Sequence, residues 1–213
     1  MSSKKRCTIL GALPVPLSLK NKILPDDYII CTDGGISNAE LLELNIHLAV
    51  GDWDSVKTDV HMIEAEKIIT LPKEKDDTDM HFAARCTIDF GFEEVQILGG
   101  IGGRIDHTFA NIHTLRFLEE NEVYAYMENE NMVCTVIQNC TRELLNQEYS
   151  YLSVFSLDEK SEGVTLKGVK YPLNGAVLYG NFPVGVSNEF VNDIATVSVE
   201  NGTLLVMLIK EYM

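Results

Sequence analysis

The chain has 213 residues, enough for one large domain or two small ones. Lysine and arginine total 17 against 32 aspartates and glutamates, and the resulting net charge of −15 argues against a protein that binds nucleic acid or an anionic membrane, since both partners need a positive surface. Hydrophobic residues make up 46% of the chain, so a packed core is expected and wholesale disorder is not.

In the first 130 residues, short apolar runs alternate with helical patterns. Three helices are predicted. The first is short and follows the second apolar run, the second covers about residues 79–90, and the third ends near residue 118. This alternation predicts an α/β domain with a mostly parallel sheet, in which the loops that follow the strands meet at one edge and form the ligand crevice. The predicted strands are Cys7–Leu10, Tyr28–Cys31, Leu48–Val50, Ile68–Leu71, Glu94–Leu98 and Val123–Met127.

The pattern changes after about residue 130. Apolar stretches become short and alternating, asparagine and glycine turns separate them, and no long helix is evident. Strands are predicted near Val133–Ile137, Tyr151–Phe155, Val164–Leu166, Ala176–Tyr179, Ala195–Val199 and Leu204–Ile209. We therefore expect two domains, an α/β domain over residues 1–130 and an all-β, sandwich-like domain over residues 131–213.

The cysteines and the apolar runs indicate the cellular compartment of the protein. Five cysteines, an odd number without a Cys-x-x-Cys pair, predict a reduced, cytoplasmic protein. The basic start of the chain precedes too short an apolar stretch for a signal peptide. No run approaches the roughly 18 apolar residues of a membrane helix, so no membrane partner is expected.

Two aspartates one residue apart follow the third predicted strand. Residues i and i+2 of an extended segment point to the same side, so Asp52 and Asp54 are expected to face one way. Two carboxylates this close repel each other unless a cation lies between them, and a hard ion with oxygen ligands, most simply Mg²⁺, suits them. The alternative is an ordinary surface turn, because Gly-Asp and Asp-Ser are common turn sequences.

Further acidic residues follow other predicted strands. Asp33 comes after the second strand and precedes two glycines, and Asp77 and Asp79 come after the fourth strand in a run that also contains Lys75. An acidic cluster at one sheet edge is costly without cations, so these carboxylates are candidate metal ligands, with Lys75 as a cation for phosphate. The alternative for Asp33 is an ordinary turn. The alternative for the run that contains Lys75, Asp77 and Asp79 is a solvated loop that caps the next helix.

The fifth strand opens into a glycine-rich segment, residues 99–107. Four glycines within five residues let backbone N–H groups approach a ligand closely, and a helix N-terminus begins there. Arg104 adds a bidentate donor for phosphate. The spacing matches neither the dinucleotide fingerprint nor a P-loop, so we interpret the segment as a phosphate cradle of another type. The alternatives are a flexible loop and, for His107, a capping role.

Two other features are open to two interpretations each. Trp53, the only tryptophan, can stack on a ligand ring or belong to the core. The polar segment Gly185–Phe190 can hydrogen-bond a small heterocycle or form an ordinary turn.

In order and spacing, these motifs resemble those of the thiamine pyrophosphokinase family, and the resemblance spans about residues 7–209. Trp53 stands where the family often has phenylalanine. The segments that carry the resemblance are Asp33–Gly35, Gly51–Ser55, Lys75–Asp79, Gly102–His107 and, as in bacterial members, Gly185–Phe190.

The resemblance implies an enzyme that transfers a pyrophosphoryl group from ATP to thiamine and gives thiamine diphosphate and AMP. It implies an N-terminal α/β domain that binds ATP and Mg²⁺, followed by a β-sandwich that binds thiamine. It also implies a homodimer in which each site combines the α/β domain of one subunit with the sandwich of the other.

The resemblance also implies roles for individual residues. Mg²⁺ would be held by Asp52, Asp54 and one of Asp77 and Asp79, while Asp33 would position metal or nucleotide. The aminopyrimidine would be held by Ser187 and Asn188. Nucleotide-binding roles fall on Lys75, Gly102, Gly103, Arg104, Asp106 and His107.

Two rival hypotheses remain. Asp52-x-Asp54 after an apolar strand also resembles the motif of haloacid-dehalogenase-type phosphatases, with Asp52 as nucleophile and Asp54 as acid/base. That family expects the motif on the first strand, and the glycine-rich segment would be left without a role. The second rival is a catalytically silent nucleotide- or vitamin-binding protein, against which the full acidic set argues.

Overall fold

The computed structural model describes residues 5–53, 63–72, 74 and 76–211. The chain divides into two compact units, Met1–Glu130 and Asn131–Met213. Within the described part of the chain, no helix is both long and apolar enough to cross a membrane.

The first unit is an α/β domain built on six parallel strands in the order β4-β3-β2-β1-β5-β6. The described helices are α1 (Ile36–Leu42), α2 (Asp79–Asp89) and α3 (Ile105–Glu120), with short 3₁₀ helices at Leu17–Lys22 and Asp33–Gly35. The strands are β1 (Arg6–Leu10), β2 (Tyr28–Thr32), β3 (Ile46–Gly51), β4 (Ala65–Thr70), β5 (Glu94–Leu98) and β6 (Tyr124–Glu128).

The burial of the strands follows from their place in the sheet. In β1, β2 and β5 every residue after the first is buried, as expected for central parallel strands covered on both faces. The edge strand β4 is largely exposed, which agrees with its mixture of charged and apolar residues. All carboxyl ends of these strands lie at one edge, so the loops that follow them are brought together there.

The second unit is an antiparallel β structure in two layers. Strand β13 pairs with β7 and β9, and a second sheet has the order β11-β10-β12-β8. Apolar side chains from both sheets, among them Leu152, Val164 and Val206, form one core. The strands are β7 (Met132–Gln138), β8 (Thr141–Leu145), β9 (Tyr151–Ser156), β10 (Lys160–Lys167), β11 (Leu173–Tyr179), β12 (Ile194–Ser198) and β13 (Thr203–Ile209).

Both halves agree with the fold class predicted from the sequence. Every predicted strand is present, with ends that differ by a few residues. Strand β8 was not predicted, because Thr141–Leu145 carries arginine and glutamate in its centre and alternates between exposed and half-buried positions.

All five cysteines are free thiols, and four of them are buried. Burial raises the pKa of Cys7 and of Cys31 well above the ordinary value for a thiol. These two side chains therefore stay protonated at neutral pH and act as small core residues.

Candidate active site

Glycines bring the ends of β1 and β5 into close contact. The Gly11 N–H donates to the Leu98 carbonyl oxygen at 2.7 Å, and the Leu13 N–H donates to the Gly99 carbonyl oxygen at 3.1 Å. A Cβ atom on Gly11 would lie 2.6 Å from the Gly99 oxygen, so a side chain at position 11 would push the two loops apart.

The ends of β2 and β3 bring two acidic positions together. Thr32 and Val50 are register partners, so Asp33 and Gly51 follow them side by side. A Cβ atom on Gly51 would lie 2.8 Å from the Asp33 Cβ. Asp33 is buried, with 6% of its surface exposed, and the next residue after Gly51 is the half-buried Asp52.

Trp53 belongs to the core of the first unit. Its backbone has a φ of 64°, its side chain is 8% exposed, and its indole N–H donates to the Thr70 hydroxyl at 2.9 Å. This observation favours the core interpretation over ligand stacking. Asp54 and Lys75 lie outside the described residues, so their proposed roles stay predictions.

The start of α2 lies beside the end of β1. A Cβ atom on Gly11 would be 2.9 Å from the Met80 Cε, in the first turn of the helix that also contains Asp79. Thr78 is the N-cap and accepts a hydrogen bond from the His81 N–H at 3.1 Å, as expected for a capping run. The carboxylate of Asp77 accepts a hydrogen bond from Arg85 at 2.7 Å. 

The glycine-rich segment is held by side chains of the helix that follows it. Gly102 and Gly103 have φ values of 110° and 60°, which are backbone conformations that favour glycine. The Gly102 N–H donates to the Thr108 hydroxyl at 3.0 Å, and the Asn111 amide donates to the Gly100 carbonyl oxygen at 2.8 Å. The segment is therefore anchored at two points and not a freely flexible loop.

Arg104 and Asp106 form a bidentate pair at the N-terminus of α3. The Arg104 Nε and Nη2 atoms lie 3.2 and 2.5 Å from the two carboxylate oxygens, and both side chains are mostly exposed. The hydrogen bond from Arg104 lowers the pKa of Asp106, and its reciprocal effect raises the pKa of the guanidinium. His107 is exposed in the same first turn. The guanidinium of Arg104 and the positive end of the helix dipole thus lie at the same position.

The carboxylates of the described residues offer the right chemistry for a hard divalent ion. Asp33 and Asp52 supply oxygen donors from neighbouring strand ends, which are the donors that Mg²⁺ prefers. Within residues 5–53, 63–72, 74 and 76–211, no three side chains of His, Cys, Asp or Glu are grouped closely enough to hold a metal. The donor set fits Mg²⁺ in kind, and Asp54 falls outside the described part.

In the second unit, Ser187 and Asn188 have different surroundings. Ser187 is exposed with a φ of 57°, and its N–H donates to the Ser153 hydroxyl at 3.0 Å. Asn188 is 5% exposed, and its amide group exchanges hydrogen bonds of 2.8 and 2.9 Å with the backbone of Tyr171 and accepts one of 3.0 Å from the Glu189 N–H. The amide of Asn188 therefore organises the sandwich itself.

Both halves of the chain match models of one protein family. Residues 19–127 match the model described as "Thiamin pyrophosphokinase, catalytic domain", and residues 140–204 match "Thiamin pyrophosphokinase, vitamin B1 binding domain". The chain belongs to the thiamin pyrophosphokinase family. The family resemblance expected from the sequence motifs is confirmed, and so is the assignment as an enzyme of this family.

Individual members of the thiamin pyrophosphokinase family are similar over most of the chain. Thiamin pyrophosphokinase 1 of Caenorhabditis elegans is 26% identical over 199 residues, which cover 86% of this chain and 80% of the relative. Thiamine pyrophosphokinase of Bacillus subtilis is 28% identical over 163 residues, which cover 75% and 76%.

Solved structures of the family confirm the fold. The crystal structure of thiamine pyrophosphokinase from Bacillus subtilis superposes with a TM-score of 0.88 at 22% identity and covers 98% of this chain and 100% of its own. The Candida albicans enzyme superposes with a TM-score of 0.79 at 16% identity, covering 98% and 90%.

The sequence motifs that resemble thiamin pyrophosphokinases did not reveal three polar residues that hold the loops of the site. They are Asn38, Thr108 and Asn111, whose side chains hydrogen-bond loop backbone. A signal was available for Asn38 and Asn111, since asparagine is disfavoured inside helices unless its amide finds a partner. The backbone groups that they contact are 23 to 27 residues away for Asn38 and 11 residues away for Asn111, so the motifs alone did not identify them.

Proposed function

We propose that the chain catalyses transfer of the pyrophosphoryl group of ATP to the hydroxyethyl oxygen of thiamine, with Mg²⁺ as cofactor. The hydroxyl oxygen forms a bond to the β-phosphorus, and the bond between that phosphorus and the oxygen bridging to the α-phosphate breaks. AMP leaves with that oxygen, and the hydroxyl proton passes to a carboxylate or to water. The observation that carries the proposal is the contact of Asp33 with Gly51, which puts two acidic strand ends beside each other.

The glycine-rich segment and α3 are proposed to bind the phosphates of ATP. Gly102 and Gly103 allow close approach to the backbone, and the N-terminus of α3 offers N–H groups that favour an anion. Arg104 is exposed and can turn its guanidinium toward a phosphate in exchange for Asp106. Asp106 and His107 are proposed to orient this nucleotide-binding turn. Lys75 is proposed to stabilise phosphate oxygens, as is Arg104.

The acidic strand ends are proposed to hold the cation. Asp52 and Asp54 would hold Mg²⁺ together with Asp77 or Asp79, and Asp33 would orient this group from the neighbouring strand. The carboxylate of Asp77 is hydrogen-bonded to Arg85, and Asp79 lies in the first turn of α2. When bound, Mg²⁺ neutralises phosphate charge, which together with positioning is most of what phosphoryl-type transfer requires.

The second unit is proposed to bind thiamine, and the protein to act as a cytoplasmic homodimer with sites shared between subunits. The exposed Ser187 can reach the aminopyrimidine with its hydroxyl group. Most of the hydrogen-bonding capacity of the Asn188 amide group is used on the backbone of Tyr171 and Glu189, so its proposed share in substrate binding is smaller. The described range of the second unit also exposes apolar side chains suited to a subunit interface, Phe182, Val184 and Val191 among them.

The rival phosphatase hypothesis fits the sheet poorly. Its nucleophile would follow the first strand, whereas Asp52 follows β3 and the glycine-rich segment follows β5. An assay of AMP formation separates the hypotheses. Formation of AMP that requires both ATP and thiamine supports the proposal. Phosphate release from a phosphomonoester without ATP would support the phosphatase, and binding without turnover would support a silent protein.

Asp54 needs a separate test because it lies outside the described residues. We expect the Asp54→Asn variant to lose most turnover at every Mg²⁺ concentration, since the amide cannot supply a carboxylate ligand. Near-normal turnover at saturating Mg²⁺ would argue against a metal-binding role for this residue.

A further inference from the structure

The buried amide group of Asn38 hydrogen-bonds the backbone of the segment that follows β1. Asn38 lies in α1 and is 4% exposed. Its Nδ2 donates to the carbonyl oxygens of Gly11 and Leu13, both at 2.8 Å, and its Oδ1 accepts from the Val15 N–H at 3.0 Å. The Asn38 amide group thus hydrogen-bonds the backbone of three of the five residues 11–15.

The same segment is bound on its other side to the glycine-rich loop. Gly11 and Leu13 hydrogen-bond the backbone at Leu98 and Gly99, as described above. The side chain of Leu13 lies so close to Gly103 that a Cβ atom there would be 2.7 Å from the Leu13 Cδ2. The segment 11–15 is therefore a bracket between α1 and the phosphate cradle.

The bracket also reaches the acidic side of the site. The Asp33–Gly35 turn leads directly into α1, and a Cβ atom on Gly34 would lie 2.5 Å from the Ala12 Cβ. Residues 11–15 therefore lie against both the Asp33 turn and the Gly102–Gly103 loop. Among the side chains of the described residues, that of Asn38 makes the most hydrogen bonds to this segment.

We propose that Asn38 is a positioning residue that keeps the acidic strand ends and the phosphate cradle at the separation needed for transfer. This inference rests on the proposed function. The cradle keeps its own anchors, Thr108 and Asn111, when Asn38 is replaced, so nucleotide affinity is retained. What is lost is the alignment of the phosphates with the carboxylates, and a misplacement of about 1 Å can lower a rate about 100-fold.

The test compares Asn38→Ala and the isosteric Asn38→Asp with Thr87→Val. Thr87 is also fully buried, and its hydroxyl donates to the Ala84 carbonyl oxygen at 2.7 Å inside α2, so the control loses a buried hydrogen bond without touching the bracket. Steady-state kinetics with ATP and thiamine give kcat and KM, and thermal unfolding gives stability. Amide hydrogen exchange reports on the Val15 N–H, independently of turnover.

We expect kcat of both Asn38 variants to fall about 10- to 100-fold while KM for ATP changes much less, and the Val15 amide to exchange faster. In Thr87→Val we expect kcat to stay near the wild-type value and the Val15 amide to exchange as slowly as in the wild-type protein. A kcat near the wild-type value in Asn38→Asp, a loss confined to KM for ATP, or an equal loss of kcat in Thr87→Val would overturn the proposal. Wild-type protein that makes no AMP would instead refute the proposed function, and exchange at Val15 would still test the bracket.

Discussion

Gly51 and Asp33 lie against each other at the ends of β3 and β2, with room for only a hydrogen atom on the Gly51 Cα. A Cβ at Gly51 would lie 2.8 Å from the Cβ, 3.2 Å from the Cα and 3.3 Å from the N atom of Asp33. The contact therefore involves the backbone of Asp33 as well as its side chain. It fixes where Asp33 stands relative to Asp52.

We expect Gly51→Ala to displace Asp33 and to lower both stability and activity. Overpacking of a tight site costs about 1–3 kcal/mol, and the displacement moves two acidic positions of the site. Urea unfolding and AMP formation measure the two effects. Gly91→Ala is the control, because its added methyl group has nothing within 4 Å and its φ of 70° adds only backbone strain. Wild-type activity in Gly51→Ala would contradict the importance of this contact.

The hydroxyl group of Thr108 is expected to matter for nucleotide binding more than for stability. Thr108→Val keeps the shape but removes the acceptor of the Gly102 N–H and the donor to the Gly102 carbonyl oxygen. We expect KM for ATP to rise several-fold, with a loss of about 1 kcal/mol or less in the free energy of unfolding. Thr108→Ser, which retains the hydroxyl, should restore KM; failure of this rescue would show that the methyl group matters instead.

The Arg104–Asp106 pair gives a prediction about pH. Because Arg104 lowers the pKa of Asp106, the pair is complete above the ordinary carboxyl pKa of about 3.9 and is lost only as the pH falls through the lower folded value. A carbon-detected NMR titration of the Asp106 carboxyl should therefore show a midpoint below this ordinary value. In Arg104→Ala the midpoint should move up toward that value. An unchanged midpoint would show that the pair does not form in solution.

Ser187 and Asn188 are adjacent but should respond differently to truncation. Asn188→Ala removes partners from the buried backbone near Tyr171 and is expected to cost about 1–3 kcal/mol of unfolding free energy. Ser187→Ala changes an exposed side chain, so stability should change by less than about 0.5 kcal/mol while KM for thiamine rises. Unfolding curves and thiamine titrations separate the two. The reverse pattern would assign substrate binding to Asn188.

The strands could be predicted from the sequence because buried parallel strands are short, continuous apolar runs. The same logic located Asp33 and Asp52, since each directly follows such a run. Strand β8 could not be found this way, because Thr141–Leu145 has a polar centre and gains its place only by pairing with β12.

The positions of the loops could not be predicted in the same way. The contact of Gly51 with Asp33 and the bonds of Asn38 to residues 11–15 join segments that are distant in sequence. Trp53 shows the same limit, because the bond of its indole to Thr70 on β4 depends on the paired strands β3 and β4. Local patterns indicate which residues are polar at a strand end, but tertiary packing decides which way they face.

The most direct measurement of the central claim is AMP formation by Asp52→Asn across a Mg²⁺ titration, with thermal unfolding as the control for folding. The wild-type protein should form AMP and thiamine diphosphate in equal amounts only when ATP and thiamine are both present. Asp52→Asn should fold normally and lose turnover about 100-fold or more, because the cation loses a carboxylate beside Asp33. A folded Asp52→Asn variant with near-normal turnover at saturating Mg²⁺ would contradict the claim.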